Sequence, residues 1–150
     1  MLAVQSVFYT LLALIVLLII VRFFPVDTEP FHEDPAEPDR KRSEVRLIGR
    51  EAPRFSGEAD DVLEAFRQIA LSERGVRVVE GSVDEGMVTF VARSKVFGFR
   101  DFITVKAVGE AGGLTKLSVF ARPRVNFYDW GVNARRLDRW LGELDQAFRR

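Results

Sequence analysis

The chain has 150 residues, 22 Lys plus Arg against 22 Asp plus Glu, and a formal net charge of zero. That balance excludes a general nucleic-acid binder, which carries a marked basic excess, and the length suits one small domain with an appendage. There is no cysteine, which excludes disulfides, a thiolate nucleophile and cysteine-ligated metal and leaves the redox compartment open.

From Met1 to Phe24 the charged side chain is Arg22 alone, and between Val7 and Val21 nearly every residue is Leu, Ile, Val, Ala or Phe. A helix needs about 20 mostly apolar residues to cross the ~30 Å hydrocarbon core of a bilayer. Residues 1–24 therefore predict an uncleaved, single-pass transmembrane anchor. A secretory signal would carry a positive start and a small-x-small cleavage site. Here Met1 to Ser6 hold no charged side chain and the run ends in Arg22-Phe23-Phe24-Pro25. A lipoprotein needs a cysteine to acylate, and a buried core helix is shorter with one polar face. The small residues Ala3, Ser6 and Ala13 do not form a G-x-x-x-G dimer motif. Counting basic residues near the helix ends, Arg22 with Arg40, Lys41 and Arg42 on the C-terminal side favour a cytoplasmic domain.

Residues 25–43 read as a linker. Pro25, Pro30, Pro35 and Pro38 are interleaved with six acidic residues between Asp27 and Asp39. Proline favours extended backbone, and little apolar surface is present to offset ordering. The expectation is an acidic spacer that lifts the domain off the bilayer. His32 lies inside it, with no Cys and no carboxylates in ligand spacing, and reads as a linker residue rather than a metal ligand.

The soluble domain occupies residues 44–150. Val45 to Ile48 is a short first strand. Ala59 to Ser72 is a helix, with Val62, Phe66, Ile69 and Ala70 on one stripe and Leu63 beside it, Ser56 as a cap and Gly75 as a stop. The period then changes to two. Val76–Glu80, Met87–Arg93, Phe99–Val108 and Leu114–Arg122 read as strands. In the third of these, Ile103, Val105 and Ala107 face away from Thr104 and Lys106. In the fourth, Leu117, Val119 and Ala121 face away from Lys116, Ser118 and Arg122. Short turns at Asp84-Glu85-Gly86, Lys95–Gly98 and Gly109–Gly113 imply an antiparallel meander. The last helix, Asn133–Phe148, carries the stripe Leu137, Trp140, Leu141, Leu144 and Phe148, leaving Arg135, Arg136 and Arg139 to face water or a partner. The predicted fold class is α+β: an antiparallel sheet of 4–5 strands with two helices on one face, in the order β-α-β-β-β-β-α.

Catalytic constellations are scarce. The single histidine lies in the linker, so a Ser-His-Asp arrangement inside the domain is excluded. The Gly109–Gly113 turn lacks the Lys-Ser/Thr of a phosphate loop, and no carboxylate spacing supports a metal site. Two connections stand out. Arg93 to Asp101 holds Phe97 and Phe99 among basic residues including Lys95, and Arg122 to Asn133 holds Arg124, Phe127, Tyr128 and Trp130. Ordinary connections are short and polar. One reading packs these aromatics into a satellite core, with Asp129 or Asn133 capping the helix and Gly131 bending the backbone. The other is a site at one end of the sheet, where Arg93, Lys95, Arg122 and Arg124 converge near the last helix's N-terminus, which attracts anions.

The same segments carry a resemblance. Ser94-Lys95-Val96-Phe97-Gly98-Phe99-Arg100-Asp101 resembles the S-R-x-F-G-F-x-D stretch of the bacterial and plastid family called domain of unknown function 1499. Asp129-Trp130-Gly131-Val132-Asn133-Ala134-Arg135-Arg136 resembles its D-x-G-V-N-x-x-R ending. The resemblance spans Leu47 to Leu144. This chain lacks the paired cysteines of many members, has Pro123-Arg124 in place of Ser-Arg, and has Lys95 in place of an Arg, which removes a planar fork. The family implies no established reaction. It implies a membrane-anchored protein of the bacterial inner membrane with a periplasmic domain, against the cytoplasmic facing favoured by charge.

The sequence thus predicts a membrane-tethered, non-catalytic binding domain, an accessory or assembly component with a membrane-protein partner. The alternative is a binder of an anionic lipid or fatty acid at a basic, aromatic sheet end. The candidate contact residues are Arg93, Lys95, Phe97, Phe99, Arg122, Arg124, Phe127, Tyr128, Trp130 and Asn133, and no cofactor or metal is expected.

Overall fold

The computed structural model describes residues 2–25, 27–36, 45–93, 99–124 and 131–148; in the first helix its side chains are described for 4–20 and 23. That helix, α1, runs Leu2–Phe23. Its described side chains from Val4 to Ile20 cover about 25 Å at 1.5 Å per residue, and among the described residues no helix is long and apolar enough to cross a membrane.

A 3₁₀ turn at Glu29–Phe31 precedes the domain. The domain's elements are β1 (Val45–Leu47), β2 (Arg54–Ser56), α2 (Ala59–Ser72), β3 (Val76–Ser82), β4 (Met87–Arg93), β5 (Arg100–Glu110), β6 (Leu114–Pro123) and α3 (Val132–Phe148). The α+β class holds, and the sheet is antiparallel with the order β1-β6-β5-β4-β3. The sheet has six strands rather than four or five. The added strand is β2, which pairs with the N-terminal half of β6 while β1 pairs with its C-terminal half. Three residues with one apolar side chain, Phe55, give no legible alternation. Ser56 ends β2 instead of capping α2, whose cap is Glu58 without a side-chain bond.

The meander arises from alternation. Val88, Phe90, Ile103, Val105, Leu117 and Val119 point to one face and are buried there under α2 and α3. Phe66, Phe90 and Trp140 meet at the centre, with ring centroids 5.8 to 6.4 Å apart. Burying a Phe side chain stabilises by about 1.5–3 kcal/mol, so these rings hold the helices on the sheet. The turn between β5 and β6 places Gly112 and Gly113 at φ +81° and +71°, the left-handed region that favours glycine.

Arg135 and Arg139 are exposed as expected, but Arg136 is buried. It lies one turn from Trp140 on the sheet-facing side and is paired there, as described below.

The opposite face of the sheet is where the acidic segment goes. Over its described part it lies on the sheet instead of standing off it. The Phe31 ring stacks on Phe102 with centroids 3.8 Å apart. Thr104 Oγ1 donates to the Phe31 carbonyl at 2.8 Å, Thr104 lies 2.9 Å from Thr89 Oγ1, and Thr89 lies 2.8 Å from His32 Nδ1. With the Thr104 proton committed to the carbonyl, Thr89 donates to Thr104 and His32 must donate through Nδ1–H. Lys106 forms an ion pair with Asp34. Arg122 donates to the Pro30 carbonyl at 2.6 Å and to Glu33 at 3.2 Å, and its guanidinium lies over Phe31 and Phe120. The described residues from Phe24 to Asp34 therefore form a strap, held by partners that the strands present at every second residue.

Candidate functional site

Strand parity builds one end of the strapped face. Arg77 stands opposite Val91, Val91 opposite Phe102, and Phe102 opposite Arg122. One step nearer the sheet end, Arg93 stands opposite Arg100. Arg124 follows β6, with its backbone N–H donating to the Arg100 carbonyl at 2.9 Å. Residues two apart on a strand share a face, so Arg77, Arg93, Arg100, Arg122 and Arg124 all belong to the face that carries the strap.

Their surroundings differ. Arg122 is committed to the strap. Arg100 is buried and donates through Nη1 to the Phe24 carbonyl at 2.9 Å. Burial, followed by the charges of Arg93, Arg124 and Arg77, pushes its pKa below the ordinary arginine value. Burial is the larger cause; a like charge disfavours the charged form in the same direction, so the neighbouring arginines add to it. Among the described residues no ion pair involves Arg77, Arg93 or Arg124. Arg124 lies over the Phe24 ring at 5.7 Å. A half-open pocket of about 240 Å³ lies between Pro25, Thr28, Arg77, Val79, Val91, Arg100 and Phe102. Chemically this is a place for an anion: Arg77 and Arg100 in the wall beside the apolar Val79, Val91 and Phe102, with Arg93 and Arg124 outside the lining but on the same face.

A second polar group is internal. Arg136 Nη1 donates to Asn133 Oδ1 at 2.7 Å and to Asp101 Oδ2 at 3.3 Å, and its Nε donates to Glu73 Oε1 at 3.3 Å. Glu73 Oε2 also accepts from Arg139 and from Trp140 Nε1, each at 3.1 Å. Asp101 closes the first of the two segments singled out in the sequence, Asn133 closes the second, and Arg136 follows it in the first turn of α3. The structure joins them as a buried lock between the start of β5 and the first turn of α3. Gly131, at φ +71°, supplies the bend before that helix.

Of the candidate contact residues, Arg93 and Arg124 converge at the arginine end, and Phe99 is exposed just ahead of β5. Arg122 belongs to the strap and Asn133 to the lock. Lys95, Phe97, Phe127, Tyr128 and Trp130 lie outside the described residues. Sequence reasoning missed Arg77 and Arg100 as members of the site. The alternation Val76-Arg77-Val78 was the available signal for Arg77, since its neighbours belong to the core face. Among the described residues no group of three or more His, Cys, Asp or Glu could hold a metal ion.

The family model described as a protein of unknown function, DUF1499, matches residues 31–144, and the chain belongs to that family. The matched region starts at Phe31, sixteen positions ahead of the Leu47 start expected from the motifs, and so takes in the strap residues Phe31, His32 and Asp34. A search of curated proteins finds no match.

Proposed function

We propose that this chain is a membrane-tethered, non-catalytic binding domain of the bacterial inner membrane. Its arginine end engages an anionic group presented at the bilayer surface, on the periplasmic side, as an accessory component of a membrane process. The observation that carries the reading is the convergence of Arg77, Arg93, Arg100 and Arg124 where the chain leaves α1. Like charges are brought together at a cost unless an anion is to be held there.

The tether is supported by α1 itself. Its backbone runs 22 residues without a break, about 33 Å at 1.5 Å per residue, close to the hydrocarbon thickness. Val4, Phe8, Leu11, Ile15 and Ile19 are all more than half exposed. An apolar patch of that extent is unfavourable in water and marks a membrane or protein contact.

The test is carbonate washing of membranes holding the full-length protein, followed by mild detergent extraction, native sizing and mass spectrometry. The proposal expects retention through the wash and an anionic component in the extract that is lost on replacing Arg93 and Arg124. Release into the wash would contradict the tether, and an extract free of any anionic component would contradict the binding role.

A further inference from the structure

We infer that the anion held at the arginine end is the phosphate of a glycerophospholipid head group from the leaflet that α1 itself enters. This inference rests on the tethered reading above.

Position is the first argument. The Phe24 carbonyl, one residue past α1, accepts from Arg100, and Arg124 lies over the Phe24 ring. Pro25 and Thr28 form part of the pocket wall. The guanidinium cluster is thus fastened to the point where the chain leaves the helix. If α1 spans the bilayer, that point lies at head-group depth, where the negative surface potential of anionic lipids attracts basic side chains.

Size and lining are the second argument. A pocket of about 240 Å³ falls below the ~300–1,000 Å³ of sites that enclose drug-sized ligands. It suits a phosphate with its glycerol carbons, leaving the acyl chains outside. The core face offers no acyl-chain cavity among the described residues, because Phe66, Phe90, Trp140 and Leu144 fill it. An enclosed fatty acid is therefore the wrong occupant, and a lipid still seated in its bilayer is the right one.

The rim is the third argument. Phe24 is 56% exposed, with the Arg124 guanidinium 5.7 Å from its ring centroid. Aromatic rings next to long basic side chains suit the boundary between hydrocarbon and head groups, where rings sit in the interface and guanidinium groups reach phosphate. A soluble acidic segment would meet the same charges but has no use for an exposed phenylalanine.

The experiment uses the full-length protein reconstituted into bilayers of phosphatidylcholine with a minor fraction of phosphatidylglycerol. Flotation reports insertion. Native mass spectrometry after transfer to mild detergent then counts the retained lipid of each class. Wild type should keep phosphatidylglycerol in preference to phosphatidylcholine. Arg77→Gln, Arg93→Gln and Arg124→Gln should each weaken that preference about fivefold, the loss expected for one basic contact at an anionic surface. Arg67→Gln, on the exposed side of α2, should leave it unchanged, and near-ultraviolet circular dichroism of every variant should match wild type. Equal retention of both lipids by inserted wild type overturns the inference while the tether stands. Displacement of lipid by millimolar inorganic phosphate, with no preference between lipids, reassigns the site to free phosphate and also overturns it. Failure to float overturns the tethered reading and the inference with it.

Discussion

Replacing Arg136 by Met should destabilise the domain by about 3 kcal/mol. The Arg136 side chain is 6% exposed and that of Asp101 is 11% exposed, so the pair is nearly closed to water. Removing one member of a buried ion pair costs about 3–5 kcal/mol, because the remaining charge keeps its desolvation penalty. The lower end applies here, since the Asp101 contact is long at 3.3 Å. Glu73 suffers less, as it keeps Arg139 and Trp140 and is 27% exposed. A change of this size lowers the melting temperature of a domain near 100 residues by more than about 10 °C. Thermal unfolding followed by tryptophan circular dichroism in the near ultraviolet is the assay. Asp101→Asn should recover part of the loss in the Arg136→Met background, with a coupling above about 1 kcal/mol in a double-mutant cycle. An Arg136→Met protein within about 1 kcal/mol of wild type, or strict additivity with Asp101→Asn, would refute the lock.

Two further outcomes concern the strap. The hydrogen bond and charge of Lys106 hold the Asp34 carboxyl below its ordinary value, outweighing the opposing effect of burial. A depressed carboxylate contributes stability above its unfolded value, near 4, and loses it as pH falls through the folded value. The Asp34 contribution should therefore disappear only below about pH 4, and Lys106→Met should raise the Asp34 midpoint measured by carboxyl NMR titration; an unmoved midpoint would remove Lys106 as the cause. Gly81 sits at φ +74°, and a Cβ there would meet the Met87 carbonyl and come within 2.6 Å of His32 Cε1. Gly81→Ala should cost about 1–3 kcal/mol and shift the His32 ring resonances, whereas a neutral substitution with unchanged resonances would show that His32 does not lie over β3.

Legibility in the sequence followed the range of the interactions. Ile103, Val105 and Ala107 against Thr104 and Lys106 could be read by parity, and so could Leu137, Trp140 and Leu144 by helical spacing, because both signals lie within a few neighbouring residues. The strap could not be read that way. Phe31 stacks on Phe102, and Asp34 pairs with Lys106, across gaps of about 70 residues, while the local composition of prolines and acids points to a spacer. Arg136 misled for a related reason. Its charge suggests solvent, and only the approach of Asp101 and Glu73 from other elements makes burial tolerable. At the site, Arg93 and Arg124 were legible as basic residues flanking aromatic connections. Arg122 carries the same sequence signal but is taken by the strap, and Arg77 and Arg100 join through sheet register.

In the proposed arrangement the arginine end of the sheet faces the bilayer surface. The chain has no cysteine, so a single introduced thiol gives one unambiguous label. Arg74→Cys marks the arginine end, just before β3, and Ala111→Cys marks the opposite end, at the tip of the β5–β6 turn; both positions are exposed. β5 spans 11 residues between these ends, roughly 35 Å at 3.3 Å per residue. Spin-label depth in full-length protein reconstituted into bilayers should place the label at position 74 in the head-group layer and the label at 111 in bulk water. Position 111 at the lipid surface, or both labels in water at equal depth, would contradict the account.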